Sequence, residues 1–287
     1  MTETNDIPLA PYSIPGAKVL LLGDTGDGKT SAIVTLIEAG ITPFILFTEP
    51  GMSTIGARLA ELGLEDKVHW HYISQGGAGW GEMEKMAKNV NTMPFEAITK
   101  MQDPNKRKYT QWFDVLQNCA NFRCDRTGET FGDVTEWGTD RALCIDSLSG
   151  LNQLAMNNTK GSRPTTSMPE WMMAQDTLER FVNKLCTDLK CHMVMTAHLE
   201  REQDEVTGGV TLMASTLGKK LAPKMPRNFD DVIRCKRTGT DFSWSTAEGN
   251  CSVKARNIPI AQGQKPSFVT LIKGWQTNGG VIKTTTE

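Results

Sequence analysis

The eight residues Gly23-Asp-Thr-Gly-Asp-Gly-Lys29-Thr30 match the pattern G-x-x-x-x-G-K-[ST]. A loop of this kind wraps a polyphosphate with backbone N–H groups. Close approach of that backbone calls for glycine, and the helix that follows adds the positive end of its dipole. Gly23, Asp24, Thr25, Gly26, Asp27, Gly28, Lys29, Thr30 and Ser31 are therefore expected to form a nucleotide phosphate site. Lys29 would rest on the β- and γ-phosphates, and the Thr30 hydroxyl would ligate Mg²⁺. A second oxygen on the metal side is expected from Asp146, which ends the apolar run Leu143-Cys-Ile-Asp; the alternative role for Asp146 is to cap the segment after it.

Hydrolysis also needs a group that orients or deprotonates water. Glu49, in Phe47-Thr-Glu-Pro-Gly51, closes an apolar run at the sheet edge where α/β folds bind ligands, although Glu-Pro-Gly is also good turn chemistry. His198 follows another apolar run, Cys191-His-Met-Val-Met-Thr196, and would lie at the same edge within range of a γ-phosphate.

Positioning these groups takes a parallel sheet. Lys18-Val-Leu-Leu-Leu22 reads as a buried strand, Ser31 to Ala39 as a helix with Ile33, Leu36 and Ile37 on its apolar face, and Pro43 to Thr48 as a second strand. Together they make a right-handed βαβ unit. A helix over Thr54 to Leu62 and a strand over Val68 to Ile73 follow. Residues 76 to 135 lose this rhythm and read as an insertion, with a hairpin around Thr127-Gly128. Order resumes with a strand at Ala142 to Asp146, a helix over Glu170 to Leu189 and a strand at Cys191 to Thr196. Four short strands are then expected at Asp231–Lys236, Asp241–Thr246, Cys251–Ala255 and Phe268–Ile272. The expected fold is one α/β domain over residues 1–287, with a mainly parallel sheet flanked by helices, extended by C-terminal antiparallel hairpins, and a short tail from about 275.

Composition narrows the class. No segment reaches the roughly 18 apolar residues of a membrane span. Met1 to Pro15 carries acids and prolines without a basic region, so neither a secretion signal nor a transit peptide is expected there and the cytoplasm is the expected location. The seven cysteines form no CxxC pair and read as reduced, mostly buried thiols. A net charge of −2 argues against a wholesale basic surface. Leu217 to Arg237 nevertheless holds seven cations against Asp230 and Asp231, a local excess of five. Lys219, Lys220, Lys224 and Arg227 are the candidate phosphate-backbone contacts, with a solvated basic face as the alternative. Trp70, Trp80, Trp112 and Trp137 would offer stacking platforms for bases if exposed, and core packing otherwise.

Taken as a set, the loop, Glu49, Asp146-Ser147, Thr196-Ala-His198, Gly218-Lys-Lys-Leu-Ala-Pro-Lys224 before Phe229-Asp-Asp, and Val253-Lys-Ala-Arg256 resemble the RecA/DnaB superfamily. The chain is most similar to the phage RecA-like ATPases of the Sak single-strand-annealing type, over roughly residues 16 to 258 with 76 to 135 poorly matched. The resemblance implies a RecA-like core, ATP and Mg²⁺ as cofactors, Glu49 as the water activator and His198 as a sensor of nucleotide state. It also implies that Lys254 and Arg256 reach into a neighbouring subunit's site, so that the partner is a second copy in a ring or filament. Many relatives carry glutamine where this chain has His198, and the annealing-type phage members share the histidine. Single-stranded DNA and a single-stranded-DNA-binding protein are further implied partners, with annealing or recombination during replication as the activity. Other readings stay open: a nucleotide-switched assembly or partner-binding module with little turnover, another P-loop motor, or a small-molecule kinase, for which the arginines do not cluster into a lid. Asn183-Lys-Leu-Cys186 lacks the aspartate of a guanine reader, so a GTPase is not expected.

Overall fold

The computed structural model describes residues 13–73, 79–98, 100, 102, 107–163, 166–203, 208–218 and 220–285. Its first half runs β1 (Lys18–Leu22), α1 (Lys29–Ala32), α2 (Thr35–Glu38), β2 (Thr42–Phe47), α3 (Met52–Leu62) and β3 (His69–Tyr72). Helices α4 (Trp80–Thr92), α5 (Phe95–Ile98) and α6 (Arg107–Ala120) follow. The second half runs β4 (Arg141–Asp146), α7 (Leu148–Lys160), α8 (Met168–Asp188), β5 (His192–Ala197), β6 (Leu199–Gln203), β7 (Val210–Ala214), β8 (Asp231–Thr238), β9 (Asp241–Ser245) and α9 (Phe268–Thr277).

Seven strands form one sheet in the order β3-β2-β4-β5-β1-β8-β9. All neighbours are parallel except β8 and β9, which form an antiparallel hairpin at one edge. β6 and β7 pair separately. The alternation of side chains along each strand divides the interior in two. Leu20, Leu22, Phe44, Leu46, Leu143, Ile145, Met193 and Met195 face a core closed by Trp112 and Val115 of α6, Leu151 and Leu154 of α7, and Leu178 and Val182 of α8. Val19, Leu21, Ile45, Phe47, Cys144 and Val194 face the opposite core, closed by Ile33, Leu36, Ile55, Leu59, Phe268, Leu271 and Trp275. With both faces covered, the central strands carry uninterrupted apolar runs, as buried parallel strands do.

Several expected elements differ. The helix expected over 31–39 is two four-residue turns, α1 and α2, because Ile33, Val34 and Leu36 donate to carbonyls three residues back and the Thr35 hydroxyl takes the Ala32 carbonyl at 2.7 Å. The expected strand at 268–272 is the helix α9. Its β-branched and aromatic content suggests a strand, but Phe268, Leu271, Ile272 and Trp275 have helical spacing, and the Ser267 hydroxyl caps Val269 N–H at 3.3 Å. The expected strand at 251–255 is reduced to two isolated bridges, Leu212–Cys251 and Val232–Lys254. The hairpin at Thr127-Gly128 is likewise one bridge, Arg123–Thr130. In the stretch 76–135, Trp112, Val115 and Phe122 join the first core. The hairpin β6–β7 and helix α7 have no counterpart among the elements expected from sequence.

Leu20→Ala should leave a cavity in the first core and cost about 2–5 kcal/mol. Ser267→Ala, which removes only a cap, should cost about 1 kcal/mol. Urea denaturation measures both, and equal losses would contradict this assignment of core and cap.

Candidate nucleotide-binding site

The carboxyl ends of β1, β2, β4 and β5 meet at one edge of the sheet, beside the point where the strand order turns back on itself. Ligands bind at such switch points because neighbouring connections diverge and leave a crevice. The crevice is a cavity of about 520 Å³ whose lining includes Thr25, Lys29, Thr30, Glu49, Asp146 and His198.

The loop leaves β1 at Gly23, whose N–H donates to Ala197 O at 3.1 Å and so joins the loop to β5. Gly26 and Gly28 have φ of 85° and 78°, a left-handed backbone that glycine adopts without strain. This twist brings Lys29 inward to 5% exposure, where its ammonium donates to Gly23 O and Asp24 O, both at 2.8 Å. Burial lowers its pKa, with nearby carboxylates acting in the other direction.

Asp146 is 6% exposed at the end of β4. Thr30 Oγ1 donates to one of its oxygens at 2.9 Å and Thr196 Oγ1, from β5, to the other at 2.5 Å. Burial pushes the Asp146 pKa up, and the two hydroxyls counter it. Only glycine fits at position 51, since a Cβ there would lie 2.8 Å from Asp146 Oδ2. Thr30 and Asp146 thus present hard oxygen atoms side by side, the donor type Mg²⁺ takes. No group of three or more His, Cys, Asp or Glu side chains suited to a metal occurs among the described residues.

Glu49 stands one residue beyond Thr48, whose hydroxyl accepts from Ser147 N–H at 2.9 Å and donates to Ser147 O at 2.8 Å. These bonds tie the tips of β2 and β4 and set the Glu49 backbone. Its carboxylate lies 3.2 Å from His198 Nε2, and that contact, ahead of other causes, lowers the Glu49 pKa. An anionic carboxylate here can accept from and orient a water molecule.

The remaining sequence candidates lie elsewhere. Lys254 donates to Phe229 O at 2.5 Å, and Arg256 pairs with Asp230 at 2.8 Å, at the amino end of β8 and the sheet edge opposite the loop. Neither approaches its own phosphate loop. Lys219 lies outside the described residues. Lys220 is exposed, whereas Lys224 and Arg227 share Glu179 at 3.4 and 3.1 Å. Among the tryptophans proposed as platforms, Trp112 and Trp137 are core at 4% and 1% exposure, Trp70 is half-buried, and Trp80 is 88% exposed.

Two residues of the site escape sequence reasoning. Arg234, counted above in a basic stretch, turns from β8 to Asp27 at 3.1 Å and Asp24 at 3.6 Å, both in the loop. Phe242 of β9 lines the cavity beside Gly28. Only the strand order, which sets β8 next to β1, brings either residue here.

No helix among the described residues is long and apolar enough to cross a membrane. No curated protein matches the chain. The family model of the AAA domain matches residues 15–261, most of the 287-residue chain. With the phosphate loop set on a seven-stranded α/β sheet, the chain belongs to the AAA domain family of P-loop ATPases.

Proposed function

We propose that the protein hydrolyses ATP with Mg²⁺, as an assembly of identical subunits working on single-stranded DNA. The observation that carries the catalytic part is the convergence of Lys29, the Thr30–Asp146 pair and the Glu49–His198 pair on one cavity. On nucleotide binding, Lys29 exchanges its two loop carbonyls for β- and γ-phosphate oxygens. Thr30 and Asp146 would hold the cation, which would supply charge stabilisation on the phosphates. Glu49 orients the attacking water. His198 Nε2 contacts Glu49, and a γ-phosphate drawing on the same nitrogen would make the alignment of Glu49 depend on what the site holds.

Lys29 is the one lysine or arginine among the described residues lining the cavity, and phosphoryl transfer gains from a guanidinium at the γ-phosphate. Arg256 is 70% exposed at the far edge of the sheet, and a neighbour could draw it from its surface pair with Asp230. This supports a finger supplied in trans, with Lys254 beside it, in a ring or filament. The DNA part of the proposal rests on the resemblance to phage annealing ATPases and on the exposed Lys220, Lys224 and Arg227. The pairing of the last two with Glu179 leaves this patch less charged than its sequence suggests.

Three measurements test these roles. Lys29→Ala should abolish nucleotide binding in calorimetric titration; wild-type affinity in the variant would refute the loop assignment. ATP turnover should rise on addition of single-stranded DNA. A protein that neither binds DNA nor responds to it would instead be a nucleotide-switched module. Arg256→Ala should keep ATP affinity and lose turnover by about 10³-fold, as for a removed arginine finger. Mixed assemblies with Lys29→Ala subunits should recover activity, because each variant supplies what the other lacks. No recovery would rule out the trans arrangement.

A further inference from the structure

The β8–β9 hairpin forms the outer wall of the phosphate loop, and part of that wall has no role in the chemistry above. Phe242 is 45% exposed and supplies the one benzene ring among the described residues lining the cavity. Its ring lies over Gly28, where an added Cβ would come within 2.8 Å of the ring carbon Cδ1. Arg237 is its direct cross-strand partner. The guanidinium carbon lies 5.6 Å from the Phe242 ring centroid, and Nη1 lies 3.9 Å from where a Cβ at Gly26 would be. The pair therefore flanks both left-handed glycines of the loop.

The strand order gives the direction in which a nucleotide must lie. Glu49, Asp146 and His198 end β2, β4 and β5, all on one side of β1, and they define the γ-phosphate end. β8 and β9 lie on the other side of β1. A triphosphate laid along the loop with its γ end toward Glu49 releases its nucleoside end toward Phe242 and Arg237. An exposed phenyl ring in a cavity otherwise lined by small and polar groups is placed to stack on a base, and an arginine beside it adds a planar cation that stacks as well.

We infer that Phe242, supported by Arg237, is the base-stacking wall of the nucleotide site. The inference rests on the nucleotide reading above, so its test must separate the base from the phosphates. Mg²⁺-tripolyphosphate carries the phosphates without the base. Affinities of Mg²⁺-ATP and Mg²⁺-tripolyphosphate are to be measured by titration calorimetry for the wild-type chain, Phe242→Ala and Phe242→Tyr. Phe242→Ala should weaken ATP about tenfold, within the range for loss of one base–aromatic stack, and leave tripolyphosphate unchanged; Phe242→Tyr should keep ATP affinity. Unchanged ATP affinity in Phe242→Ala would overturn the inference. Equal loss of both ligands would also overturn it, by showing that the ring shapes the loop through Gly28. A wild-type chain that binds neither ligand would bring down the phosphate-loop reading itself, a result distinct from either.

Discussion

The nucleotide edge depends on one buried carboxylate. Asp146 is almost fully removed from water, and an ionised carboxylate in such a place is costly unless its lone pairs are met. Thr30 from α1 and Thr196 from β5 meet them, so a single side chain joins three elements that are distant in sequence. The two partners are neutral hydroxyls. They satisfy the hydrogen bonds without cancelling the charge, and burial accordingly raises the Asp146 pKa. A hard cation at this point would supply the missing charge, and the glycine at position 51 keeps the space beside Oδ2 open.

The sheet makes such an edge necessary. Each central strand sends alternate side chains into two separate cores, so neither face of the sheet is available to a ligand. Chemistry is confined to the strand ends, where the apolar runs stop and polar residues follow. Glu49, Asp146 and His198 are all such residues, and hydrogen bonds between adjacent strand tips, such as those of Thr48 with Ser147, set their spacing.

This explains what could be read in advance. The phosphate loop is a local pattern, and Glu49, Asp146 and His198 are found where hydrophobic runs end, so one-dimensional spacing suffices for them. Arg234 and Phe242 are set by which strand lies next to β1, and nothing within their own segment reveals that. The α9 error has a different origin. Phe268-Val-Thr-Leu-Ile has strand-like residues, and only the later Trp275, with the Ser267 cap, discloses the helical period. β6 leaves no signal in the sequence because Leu199-Glu-Arg-Glu-Gln203 has no apolar alternation; it is a mostly exposed strand paired only with β7. The basic stretch carries less net charge in the fold than its composition implies, because a linear count omits its partners. Glu179, Asp27 and Glu248 neutralise much of it.

The contact of Arg234 with the loop also bears on how tightly a ligand is held. Asp24 and Asp27 place two carboxylates in a loop shaped to receive an anion, which by themselves would repel it. Arg234 draws both toward β8, and Asp27 in turn accepts the Asp24 N–H at 2.7 Å. The repulsion is reduced, and the loop is braced from outside as well as by its own glycines. An incoming phosphate therefore meets a cradle whose shape is already set, and spends little of its binding energy on ordering backbone.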